Sequence, residues 1–180
     1  AIRFPSHRVV RSILKSIDFP LAMPSANISS SISPVNAEDV AEEFKKNIKF
    51  ILDGGKSKIG IESTVINLID RPLILRPGVI GPEIIYKVLK KKINITKKNS
   101  KIISPGMLKK HYSPGIPIFL NQKKSKEIDA FITLGKKYKN SKNCFNLSKK
   151  SDLKEAASNL YKTLRKIKKL NFNKINIARI

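Results

Sequence analysis

The stretch Pro20-Leu21-Ala22-Met23-Pro24-Ser25-Ala26-Asn27 decides how this chain is read. Leu21, Ala22 and Met23 make a short buried strand, and Pro24 turns the backbone into a loop of small hydroxyl and amide groups. Open α/β sheets place ligands where loops leave the carboxyl ends of their strands. Ser25 and Asn27 could there bond phosphate or ribose oxygens. An ordinary polar turn accounts for the spacing equally well.

Before this stretch, Val9, Val10, Ile13, Leu14 and Ile17 share one face of a helix over 6–17, capped by Ser6 and ended at Phe19-Pro20. After it, Ser33-Pro34 reads as the cap and first-turn proline of a second helix, with Glu38 and Asp39 early and Lys45 and Lys46 late. Its apolar stripe is Val40, Phe44 and Ile48. The free N–H groups at such a helix end also attract anions, so Ser33 could cap and touch a phosphate at once. Strands follow at 50–52, 64–69 and 73–75, and Gly81-Pro82 opens a helix carrying Ile84, Ile85, Val88 and Leu89.

From Ile93 to Gly115 the chain turns polar and breaker-rich, with Ser104-Pro105-Gly106 and Ser113-Pro114-Gly115 marking a linker. Strands are predicted beyond it at 116–120, 130–134, 144–147 and 174–180. A long helix starts at the Asp152 cap, with Glu155 three residues on and Leu153, Ala157, Leu160, Leu164 and Ile167 as its stripe. Strands alternating with a helix predict a small, mostly parallel α/β unit. Both ends stop in mid-pattern, and the chain is expected to be a fragment.

Composition narrows the classes. The 180 residues are 41% hydrophobic, and no apolar run nears the roughly 20 residues of a membrane helix. The lone Cys144 excludes an internal disulfide, and with two histidines it makes no ordinary zinc set, so a cytoplasmic setting is expected. The formal charge of +24 invites RNA binding. Yet the arginines are only Arg3, Arg8, Arg11, Arg71, Arg76, Arg165 and Arg179, without interleaved aromatics, and drift of solvent-facing positions to Lys is favoured over a dedicated RNA face.

Single sites carry weak signals. Gly55-Lys56-Ser57 resembles the end of a P-loop, but Phe50 stands where that pattern needs glycine, so Asp53-Gly54-Gly55 reads as a turn. Gly60-Ile61-Glu62-Ser63-Thr64 brings two hydroxyls and a carboxylate to a strand mouth. Arg76, kept in a lysine-rich background, suggests the rigid fork that grips carboxylate or phosphate, and Arg3 invites the same argument. His111 could act as a base, but no paired carboxylate or cysteine has a compelling position.

In order, Ile2-Arg3-Phe4-Pro5, Pro20 to Asn27, Ile51-Leu52-Asp53-Gly54-Gly55, Gly60 to Val65, Leu75-Arg76-Pro77-Gly78 and Ser104-Pro105-Gly106-Met107…His111-Tyr112-Ser113-Pro114 are far more specific. Together they resemble the L-threonylcarbamoyladenylate synthases in their long, two-domain form. Asn146 to Ser148 and Asp152 to Tyr161 look like that form's C-terminal domain. The implied fold is α/β: the C-terminal half of a YrdC-like twisted-sheet domain over 1–98, a linker or lid over 99–115, and a small Rossmann-like α/β domain over 116–180.

The resemblance implies a nucleotidyltransferase that makes threonylcarbamoyl-AMP and pyrophosphate from L-threonine, bicarbonate and ATP, with Mg2+ accompanying the nucleotide. The product feeds tRNA threonylcarbamoyl transferase machinery, and contact with tRNA or double-stranded RNA is possible. Arg3, the Met23 backbone and Ser63 would hold threonine, while Ser25, Ser33, Arg76 and Tyr112 would contact ATP. No catalytic side chain and no protein metal site is assigned. The family's first half, with its basic phosphate-binding residues, is expected to be missing ahead of this segment, and the chain alone is expected to be inactive. Where the family usually has glycine at the second position after Asn27-x-Ser29, this chain has Ser30-Ser31, and a differently shaped loop is expected. The competing readings are a basic RNA-binding module without catalysis and a YrdC-like carbamoyl transferase. The second α/β unit and the His111-Tyr112 linker count against the latter.

Overall fold

The computed structural model describes residues 2–69, 71–96 and 112–179. Helices α1 (Arg8–Lys15) and α2 (Ala37–Phe44) precede strands β1 (Val65–Asn67) and β2 (Leu73–Arg76), helix α3 (Pro82–Leu89) and the short β3 (Asn94–Ile95). Then come β4 (Ile118–Gln122), β5 (Ala130–Thr133), β6 (Cys144–Asn146), α4 (Leu153–Lys168) and β7 (Ile175–Ala178). They form two sheets: a mixed one in the order β1-β2-β3 and a fully parallel one in the order β4-β7-β5-β6.

The parallel sheet is the predicted α/β unit. Every residue of its inner strand β5 is buried, as expected of a strand covered on both faces. Helix α4 starts where the sequence placed it, with Asp152 accepting from the backbone N–H of Lys154 and Glu155. Its inward face is rotated from the predicted stripe. Ala156, Tyr161, Leu164 and Ile167 are buried, while Leu153 is 65% exposed. The reason is tertiary, because α4 packs against its own sheet and also against the segment around Ile32 and Val35. Those two residues share one core with Ile132, Leu147, Leu164 and Ile175. A smaller core of Ile74, Ile85 and Ile93 joins the mixed sheet to α3.

Local expectations need four corrections. His7, not Ser6, precedes α1, and its Nε2 bonds the Gly54 carbonyl at 3.0 Å. Asn36, not Ser33, caps α2 by accepting from Asp39 N–H, and Asp39 in return accepts from Val35 N–H. The runs 21–23 and 50–52 form no strand, because no described residue pairs with their backbones; Met23 and Phe50 are 58% and 92% exposed. Strand β3 falls inside the stretch read as linker.

Candidate functional site

Arg76 ends β2, a strand in which Ile74 and Arg76 point to the buried side. Antiparallel pairing sets Arg76 opposite Val65, which brings the preceding residues Glu62, Ser63 and Thr64 alongside the guanidinium. Nε donates to the Ser63 carbonyl at 2.9 Å, Nη2 to Ser63 Oγ at 3.3 Å, and Nη1 to the Tyr112 hydroxyl at 2.9 Å. Glu62 Oε2 lies 3.8 Å from Nη2. Gly78 makes this crossing possible, since a Cβ there would fall on the backbone of Glu62, Ser63 and Thr64.

Ser33 lies between Ile32 and Val35, whose side chains go into the shared core, and that burial carries its hydroxyl to the site. Its Oγ donates to Glu62 Oε1 at 2.5 Å, a short charge-assisted bond, and approaches Asn27 Oδ1 at 3.4 Å. The loop before it is braced internally. Asn27 Nδ2 donates to the carbonyls of Ile28 and Ser31, and Asn27 N–H to that of Ser25. Ser30 holds φ 68, in the left-handed region that glycine favours. Ser30 itself therefore has a glycine-like backbone.

Tyr112 also has a left-handed backbone, with φ 57, and the chain around it is stapled down by Ser113 N–H donating to the Ser30 carbonyl at 2.9 Å. Its ring stacks on Tyr161 of α4, with centroids 5.8 Å apart and planes 28° apart. Burial, and then the Glu62 charge, push the Tyr112 hydroxyl above its ordinary pKa, while Arg76 and Arg3 pull the other way. Burial likewise pushes Tyr161 well above the ordinary tyrosine range.

Of the residues singled out in the sequence, Ser33, Ser63, Arg76 and Tyr112 meet in one hydrogen-bonded cluster centred on Glu62 and Arg76. Arg3 and Met23 line a neighbouring groove of about 420 Å³ with Pro20 and Leu21, and the charge of Arg3 reaches Tyr112. Ser25 is exposed at the start of the braced loop. His111 lies outside the described residues. Glu62 was visible only as the carboxylate of its loop, and nothing in its spacing announced that it would join Ser33 to Arg76. The turn reading of Asp53-Gly54-Gly55 holds, with Gly55 N–H bonded to Asp53 Oδ1 at 2.8 Å. Among the described residues, no group of three or more His, Cys, Asp or Glu side chains is placed to hold a metal ion. No described helix is long and apolar enough to cross a membrane.

Two family models divide the chain between them. One, described as "Telomere recombination" and covering Sua5, YciO and YrdC proteins, matches residues 1–78. The other, "Threonylcarbamoyl-AMP synthase, C-terminal domain", matches residues 80–180. The threonylcarbamoyl-AMP synthase of Bacillus subtilis is 39% identical over 137 residues, 73% of this chain and 39% of that protein. That of Pyrococcus abyssi is 40% identical over 126 residues, 67% of this chain and 37% of that protein. The chain therefore spans about two fifths of the length of these relatives. The crystal structure of P. abyssi Sua5 complexed with L-threonine superposes with a TM-score of 0.84 at 31% identity, covering 99% of this chain and 58% of that one. With a family model matched across 80–180 and a second across 1–78, this chain belongs to the threonylcarbamoyl-AMP synthase family.

Proposed function

We propose that this chain supplies the Ser33–Glu62–Arg76–Tyr112 side of a site that makes threonylcarbamoyl-AMP. The observation that carries the reading is the Arg76 fork, buried and held by Ser63 and Tyr112 in one orientation. A fixed guanidinium suits a reaction whose partners each carry a carboxylate, carbonate or phosphate group.

In this reading threonine and bicarbonate condense to a carbamate with loss of water. A carbamate oxygen then attacks the α-phosphorus of ATP and pyrophosphate leaves, so a P–O bond forms as another breaks. Arg3, Ser63 and the Met23 backbone hold threonine, with Arg3 and Met23 sharing one groove. Ser25, Ser33, Arg76 and Tyr112 face ATP. Ser33 and Arg76 are both engaged by Glu62, so each would exchange Glu62 for a phosphate oxygen as the nucleotide enters. Mg2+ arrives with ATP as part of the substrate. The P. abyssi neighbour, whose structure is a complex with L-threonine, supports the amino-acid half of this reading.

The product would pass to a cytoplasmic tRNA-modifying transferase. A charge of +24 gives the chain an electrostatic attraction to tRNA, whose affinity would fall steeply with salt.

The test is pyrophosphate release from ATP that requires both threonine and bicarbonate. It is measured for this polypeptide alone and for a fusion to the N-terminal part of the B. subtilis relative. Release by the fusion is expected, and silence from both proteins overturns the reading.

A further inference from the structure

Helix α4 belongs to the C-terminal unit, yet one of its faces grips the site of the other. Ser158, Tyr161 and Arg165 are spaced three and four residues apart and so lie on one side of the helix. The Ser158 backbone sits against Gly60, where an added Cβ would come within 2.8 Å of its carbonyl oxygen. Tyr161 stacks under Tyr112. Arg165 reaches furthest.

The Arg165 guanidinium is buried with its partners, at 11% side-chain exposure against 9% for Glu43. Nη1 donates to the Ile32 carbonyl at 2.9 Å, directly before Ser33. Nη2 donates to the Asp39 carbonyl at 3.1 Å and to Glu43 Oε2 at 2.9 Å, while Nε faces Asp39 Oδ1 at 3.3 Å. The other Glu43 oxygen accepts from Ile28 N–H at 3.1 Å and Ser31 Oγ at 2.7 Å. A single side chain of the C-terminal unit thus holds both ends of the segment 28–32: the carbonyl end directly, and the Ile28–Ser31 end through Glu43. That segment joins Asn27 to Ser33 and is stapled to Ser113 beside Tyr112.

We propose that Arg165 is a positioning residue of the nucleotide site, setting the Asn27–Ser33 loop so that the Ser33 hydroxyl meets Glu62, which itself faces Arg76. A buried ion pair is a poor source of net stability, because desolvation offsets most of its attraction. Three directed hydrogen bonds from one planar fork, with Nε beside Asp39 but not bonded to it, are instead a means of fixing geometry. The same helix supplies the contrast. Lys169 pairs with Glu42 at 2.6 Å across the same seam, but both side chains are exposed and their bond is to each other, not to the loop.

The consequence for ATP rests on the proposed function, and the consequence for the loop does not. The experiment therefore reads both, comparing Arg165→Lys, Glu43→Gln and Lys169→Ala with the wild type. Amide exchange of Ser31, Ser57 and Ser113, whose N–H groups bond Ile28, Val35 and Ser30, reports the loop. Arg165→Lys is expected to speed this exchange about tenfold, the equivalent of one lost charge-assisted bond, while leaving the amides of β5 and β7 protected. ATP KM in the pyrophosphate assay should rise by a similar factor, about tenfold, with kcat and threonine KM little changed. Glu43→Gln should reproduce both effects without changing any residue of α4, and Lys169→Ala neither. Equal exchange in Arg165→Lys and Lys169→Ala overturns the proposal. Because exchange needs no nucleotide, that result stands whether or not the protein uses ATP. Should Arg165→Lys also expose β5, Glu43→Gln decides: faster exchange confined to the loop upholds the proposal, and unchanged exchange overturns it.

Discussion

Nη1 of Arg76 donates a 2.9 Å hydrogen bond to the hydroxyl of Tyr112, joining the end of one unit's sheet to the chain entering the other. Tyr112→Phe keeps the ring stacked on Tyr161 and removes the hydroxyl that accepts this bond. It should lower unfolding free energy by about 1 kcal/mol, the usual worth of such a bond, and this would appear as a lower urea midpoint. If Tyr112 contacts ATP, KM for ATP should rise as well while threonine KM stays level.

Gly78→Ala tests the crossing on which the Arg76 cluster depends. Its Cβ would strike backbone atoms of Glu62, Ser63 and Thr64, which cannot rotate away as a side chain can. The expected result is a loss of about 1–3 kcal/mol in stability, the range for overpacked positions, with pyrophosphate release falling more than stability alone explains. Retained activity at an unchanged urea midpoint would contradict this geometry.

These outcomes bear on what the sequence could reveal. Ser33, Ser63, Arg76 and Tyr112 could be picked out because each stands in a short motif of hydroxyl, arginine or turn residues, and local chemistry is what a sequence displays. The helices α1, α3 and α4 followed from apolar spacing for the same reason. What stayed hidden depends on contacts distant in sequence. Ser33 looked like a helix cap until Glu62, 29 residues on, took its hydroxyl. Leu153 of the predicted stripe is exposed and Tyr161 outside it is buried, because α4 serves two neighbours and periodicity cannot show a second one. Residues 21–23 and 50–52 have strand composition, but a strand also needs a partner edge.

Alkaline pH should act through Tyr161. Its native pKa is raised by burial, so native and unfolded forms are equally protonated below the ordinary value of 10.0. Above that pH the unfolded chain loses the proton first, and stability falls as pH rises until the native group also ionises. Urea midpoints taken from pH 9 to about 11 should drop more steeply for wild type than for Tyr161→Phe. Parallel curves would show that Tyr161 ionisation is not coupled to unfolding.

Acid should act through Glu43. Burial alone would raise its pKa, but the Ser31 hydroxyl, the Ile28 N–H and Arg165 together hold it below the ordinary 4.5. Its contribution is therefore complete above pH 4.5 and disappears as pH falls through the lowered native value. Glu43→Gln should start less stable near neutrality and lose less on acidification. Converging urea midpoints as pH falls below 4.5 are the signature, and curves that stay apart would refute the assignment.

The contact between Gly60 and Ser158 has a consequence for how this protein can vary. The atoms that a Cβ at 60 would meet first are the carbonyl oxygen, Cα and carbonyl carbon of residue 158, all of them backbone. The helix therefore shows the loop a surface common to all amino acids, and substitution at 158 leaves that surface intact. At 60, with φ +75 and no room for a Cβ, only glycine is accommodated. Mutational tolerance across the seam should be one-sided, broad on the helix and almost nil on the loop that touches it.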